Sequence, residues 1–126
     1  MLVVESRAIS LARTADGQAC IVSLVGEHDL STIADLQASL TEAATAPVTV
    51  VDLSATAFID SAVLGALIAS HREAVDAHRG WSLVVGNGSG AAVRRILELT
   101  GLDVVLPVHA RQEDAIAAAG SGGQVE

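Results

Sequence analysis

"VTVVDLSATAFIDSAVLGAL", residues 48–67, begins as a β-branched run and ends as an apolar helix, with Asp60 and Ser61 between the two. Val48 to Val51 carry no polar alternation, which reads as a strand buried on both faces in the middle of a helix-covered sheet. After "SATAFID" the spacing predicts a helix over 61–77, with Leu64, Leu67 or Ile68, His71 and Val75 facing inward. Either Asp60 or Ser61 would cap that helix, accepting from first-turn N–H groups that have no intrahelical partner. A serine at a helix start is also where the dipole and free amides favour an added phosphate. Capping and switching both remain open at this point.

Working outward, "AISLARTADGQACIVSLVGEHD" (8–29) reads as two β runs joined at "ADG", an Asp-Gly turn that makes a hairpin. "STIADLQASLTEAAT" (31–45) sets Ile33, Leu36, Leu40 and Ala43 or Ala44 on one helical stripe, with Thr32 and Asp35 spaced as a capping box. Downstream, Gly80 is expected to close the long helix, and "WSLVVG" is a further strand. "AAVRRILELTG" is a helix ended by Gly101, "DVVLPV" a last strand, and "QEDAIAAAG" a terminal helix. Strands alternating with helices give an α/β class with a mixed sheet. The expected domain spans 1–119, with a disordered tail over 120–126.

Composition narrows the function. The chain has 126 residues, enough for one domain, and its hydrophobic content of 51% with only 2% aromatics demands an aliphatic core. Net charge is −8 and every basic residue is Arg, so direct nucleic-acid binding and anionic membrane surfaces are disfavoured. The absence of Lys removes P-loop and Schiff-base chemistry. Arg-only, Ala-rich usage points to a GC-rich bacterial genome. No secretory h-region or membrane-length apolar run is present, so a soluble cytoplasmic protein is expected. Cys20 is single and reads as a buried thiol. His71 and His78 are too far apart for an i, i+4 pair, and His28 and His109 add no zinc spacing, so no metal and no cofactor are expected. "GNGSG" (86–90) sits where phosphate loops live but lacks GxGxxG spacing and a Walker lysine, and reads as a connection. Around Ser61, Ile59 and Val63 stand where a nucleophile elbow needs glycines, so no catalytic residues and no enzyme are expected.

The stretch "VDLSATAFIDSAVLGAL" resembles the signature of STAS domains, matched at Asp52, Leu53, Ser54, Phe58, Asp60, Ser61, Leu64 and Gly65. "LVGEHDLST" is similar to the family's Gly-Glu-x-Asp segment through Gly26, Glu27, Asp29 and Thr32, and "AAVRRILELTGLDVVLPVH" to its late helix-Gly-Leu-strand element. The resemblance covers about 8–119. It implies a single STAS-like domain: a four-stranded mixed β-sheet, with room for a short N-terminal strand, and about four helices on one side of the sheet. For free-standing members it implies an anti-sigma factor antagonist that binds a serine-kinase anti-sigma factor and is reset by a phosphatase. Phosphorylation would fall on Ser61, and partner binding on Asp29, Thr32, Asp60, Ser61, Ala62, Val63 and Leu64. Ala62 and Val63 replace the family's Ser-Gly, a change that Val63 could use to bar or select partners. A weak homodimer is left open. The alternative is a STAS ligand-binding or scaffold module, taking a small anion or lipid or assembling a complex without serine phosphorylation.

Overall fold

The computed structural model describes residues 8–86 and 91–124. Five strands form one sheet in chain order: β1 (Ile9–Arg13), β2 (Ala19–His28), β3 (Val48–Ile59), β4 (Gly80–Val84) and β5 (Val108–His109). β1 and β2 are the expected antiparallel hairpin, while β2–β3, β3–β4 and β4–β5 are parallel. The helices are α1 (Ile33–Ala43), α2 (Ser61–Asp76), α3 (Ala91–Thr100), the short α4 (Leu102–Val105) and α5 (Gln112–Gln124). Residues 125 and 126 and the 87–90 part of the "GNGSG" loop lie outside the described residues.

The strand order explains the layering. Parallel strands added one after another on the same side, through right-handed crossovers, put every crossover helix on one face. Accordingly Leu36, Leu40 and Ala43 of α1, Val63, Leu67 and Ala74 of α2, and Val93 and Leu97 of α3 share one core. The sheet contributes Cys20, Val22 and Leu24 from β2, Val51 and Leu53 from β3, and Trp81, Leu83 and Val85. α5 is no crossover and packs on the opposite face, Ala115 and Ala119 against Ala19, Val48, Val50 and Val84. The helices therefore lie on both faces rather than on one. β3 is buried from both sides, as its unbroken apolar start requires.

Several local expectations are corrected. β3 runs well beyond its apolar start at Val48–Val51, to Ile59, its second half paired with β2 across two register shifts. α2 is rotated by about one residue: its buried stripe is Val63, Leu67, Ser70 and Ala74, while Val75 is exposed. The reason is Ser70, whose Oγ accepts the Trp81 indole N–H at 2.9 Å, making a hydroxyl part of the core. His78, not Gly80, takes the left-handed conformation after α2 (φ 57°). Half of "DVVLPV" is helical, Asp103 to Val105 within α4, with Val104 and Val105 exposed, and only Val108 and His109 pair with β4. Pro107 holds Leu106 extended and starts the strand late. α5 runs on through Gly120, into the stretch read as tail.

Gly80 serves a different need: a Cβ there would sit 2.4 Å from the Ala119 carbonyl oxygen of α5. Gly80→Ala should cost roughly 1–3 kcal/mol by overpacking. Gly65, exposed in α2 with no atom within 4 Å of a Cβ, gives the control. Gly65→Ala should stabilise by about 0.5–1 kcal/mol. Urea unfolding of both variants checks the pair, and equal midpoints would contradict the close α5–β4 contact.

Candidate functional site

The same topology brings two chain reversals together. β2 and β3 are parallel neighbours, so the turns after their carboxyl ends, His28–Thr32 and Asp60–Ser61, lie side by side. Gly26 (φ 87°) sits at a register shift in β2, a conformation other residues adopt at a cost. Beyond that irregularity Glu27 is exposed and His28 is fully buried.

Asp60 settles the capping question. Its backbone is extended, and Oδ1 accepts the Val63 N–H at 3.0 Å, so Asp60 caps α2. Its other oxygen, Oδ2, accepts the Leu30 N–H at 3.1 Å from the neighbouring turn. Ser61 is the first residue of α2 and is exposed, and its hydroxyl engages no other side chain among the described residues. Ala62 and Leu64 are half-buried, whereas Val63 is fully buried in the core beneath them. Of the expected contact residues, Val63 thus presents no side-chain surface; it acts from below, by filling space.

On the opposite turn Asp29 caps a 3-10 turn, Leu30–Thr32, with Oδ1 accepting the Ser31 N–H at 2.9 Å and the Ser31 hydroxyl at 2.6 Å. Those two bonds, the hydroxyl first, hold its carboxyl below the usual 3.8. Thr32 does not form the expected box with Asp35. Its Oγ1 lies 3.1 Å from the Asp29 carbonyl and 3.2 Å from His28 Nδ1, so the hydroxyl is already engaged. His28 Nε2 donates to the Val25 carbonyl at 3.0 Å. His28 is the site residue that sequence reasoning missed; its place between Gly26 and Thr32 was the available signal. It ties the turn to β2 from inside.

Elsewhere Asp52, the first signature residue, anchors the fold: Oδ1 accepts the Ser54 N–H at 2.8 Å and Oδ2 the Gln112 amide at 2.6 Å, pinning the start of α5. His71 lies edge-on to Trp81, with ring centroids 5.2 Å apart, and burial lowers its pKa. Among the described residues no three metal-ligating side chains cluster, and no helix is long and apolar enough to cross a membrane.

A parallel sheet extended by an antiparallel hairpin, with a serine exposed where the central strand turns into its helix, defines a mixed α/β domain. The family model described as Mlab, STAS domain, matches residues 11–107, and the chain belongs to the STAS domain family. Among solved structures, an anti-sigma factor antagonist from Mycobacterium paratuberculosis is 29% identical, with 89% of this chain and 94% of that one covered and a TM-score of 0.72. The phosphorylated Bacillus cell fate determinant SpoIIAA is 21% identical over 88% of this chain and 98% of that one, with a TM-score of 0.65. A sulfate transporter family protein from Wolinella succinogenes is 18% identical, covering 81% and 84%, with a TM-score of 0.58. No curated protein matches the chain.

The Asp29 carboxyl offers a direct check on the site. A depressed native pKa means the Ser31 bonds are fully formed above 3.8 and are lost as pH falls through the native value. Side-chain NMR titration should place the Asp29 midpoint below 3.8, and Ser31→Ala should move it upward. An unmoved midpoint would remove Ser31 as the cause.

Proposed function

We propose that this protein is an anti-sigma factor antagonist, a cytoplasmic partner switch that docks a serine-kinase anti-sigma factor and thereby frees a sigma factor. It is a binding module rather than an enzyme. The observation that carries the reading is the division of labour at α2: Asp60 does the capping, which leaves the exposed Ser61 hydroxyl without a structural task. Similarity to antagonists along nearly the whole chain supports it. The kinase phosphorylates Ser61 and a phosphatase restores it. Asp29, Thr32, Asp60, Ser61, Ala62 and Leu64 form the contact surface, with Val63 shaping it from beneath.

Phosphorylation adds about 1.5–2 negative charges beside Asp60. Asp60 already holds the Val63 amide, so the phosphate gains less from the helix start than an uncapped serine would. In the free protein it faces water and the fold survives. In a closed interface a mispaired charge costs about 2–5 kcal/mol, and about 1.4 kcal/mol is a factor of ten in affinity.

The alternative, a STAS module that holds a ligand or scaffolds a complex without phosphorylation, is favoured by one observation. A cleft of about 400 Å³ opens at the far half of α2, between Ile68, His71, Val75 and Val105.

The test is titration of wild type, phosphorylated protein, Ser61→Asp and Ser61→Ala against each purified kinase-type anti-sigma factor of the host. Binding should weaken by roughly one to three decades on phosphorylation and also in Ser61→Asp, while Ser61→Ala binds but accepts no phosphate. Equal affinity of all four forms, or phosphate transfer to another residue, sinks the switch and leaves the ligand-binding reading.

A further inference from the structure

Leu30 lies at the meeting of the two turns. Leu30 is 72% exposed, as open as Leu99, and what sets it apart is the backbone beneath it, held from both turns. Asp29 caps that turn, the Thr32 N–H donates to the Asp29 carbonyl at 3.0 Å, and the Leu30 N–H is taken by Asp60 Oδ2. The backbone under the side chain is therefore fixed while the side chain itself is left in water. A rigid, exposed aliphatic group is cheap to bury, because little backbone freedom is lost when it docks.

The surroundings say what kind of surface it meets. From Thr14 to His71 the chain has no Arg or Lys, whereas Glu27, Asp29, Asp35 and Asp60 stand on or beside these two turns. Within the described residues the ion pairs are confined to Arg13 with Glu42 and Arg111 with Glu113 and Asp114, so none of those four acids is neutralised internally. Complementary potentials across an interface then call for a cationic partner.

We propose that Leu30 is the apolar anchor of the docking surface, that Asp60 positions it through the Leu30 amide, and that the occupant is a protein pocket with an apolar floor and an Arg or Lys rim. This rests on the docking reading above but not on phosphorylation. The same carboxylate that caps the helix of Ser61 presents Leu30, so one residue serves both halves of the surface.

The test uses the full chain and each purified kinase-type anti-sigma factor of the host, with Ser61→Asp run alongside. Leu30→Ala should weaken binding tenfold or more, Leu30→Met should stay within threefold of wild type, and Leu30→Arg should abolish binding, all at unchanged thermal midpoint. Affinity should fall as salt is raised from low to physiological ionic strength. For the positioning role, hydrogen exchange of the Leu30 amide in the free protein should quicken about tenfold in Asp60→Ala, while the β3 amides keep their protection. If Leu30→Ala binds like wild type and Ser61→Asp still weakens binding, the anchor is wrong and the switch stands. If Leu30→Ala weakens binding and Ser61→Asp does not, the anchor stands and the switch falls. Salt-independent affinity overturns the cationic rim, and unchanged Leu30 exchange in Asp60→Ala overturns the role of Asp60.

Discussion

β3 is the constraint on which the molecule is built. It runs through the middle of the sheet with neighbours on both edges over its first half, and its two faces belong to two separate apolar clusters. Val50 and Val51, adjacent in sequence, are both fully buried and point to opposite layers. Deleting either side chain would leave a cavity, at about 0.5–1.5 kcal/mol for a small truncation and more for larger ones. Because this strand cannot shift, the point where it ends is fixed too, and that point is Asp60.

From there the geometry follows by topology more than by local chemistry. Successive parallel strands release their chains at the same end of the sheet, so residues 30 apart in sequence become hydrogen-bonded neighbours. The carboxylate between them uses one oxygen for each turn, and an asparagine could not accept from both amides equally well. Each such bond contributes only about 1–2 kcal/mol to stability. Their larger effect is to hold Asp29, Leu30 and Ser61 as one rigid surface. The acid before the serine is thus a fastener, and the serine next to it is left for other chemistry.

How much of this was legible in the chain depends on whether the deciding contact was local. The hairpin at Asp16-Gly17, the α1 stripe of Leu36, Leu40 and Ala43, and the buried start of β3 all announce themselves through turn chemistry or period. The face of α2 did not, because Ser70 counts as polar until Trp81 is seen to donate to it. The second half of β3 was hidden for a similar reason: Ala55, Thr56 and Ala57 carry a weak strand signal and depend on β2 across irregular register. At the candidate site, the cap chemistry of Asp60 and Ser61 could be read directly, but which of them capped could not. Thr32 was placed at the site by the resemblance but not its bonds to Asp29 and His28, and Leu30 was illegible because its amide is taken by Asp60 across the two turns.

The pairing of Trp81 with α2 has a consequence of an optical kind. Trp81 is the only tryptophan, tyrosine is absent, and one phenylalanine completes the aromatic set. Its indole is 4% exposed, hydrogen-bonded to Ser70 and edged by the His71 ring, so it is held by the very helix whose first residue is Ser61. Intrinsic fluorescence of this protein consequently has a single emitter with a single address. It reports, without any label, how α2 sits against the sheet.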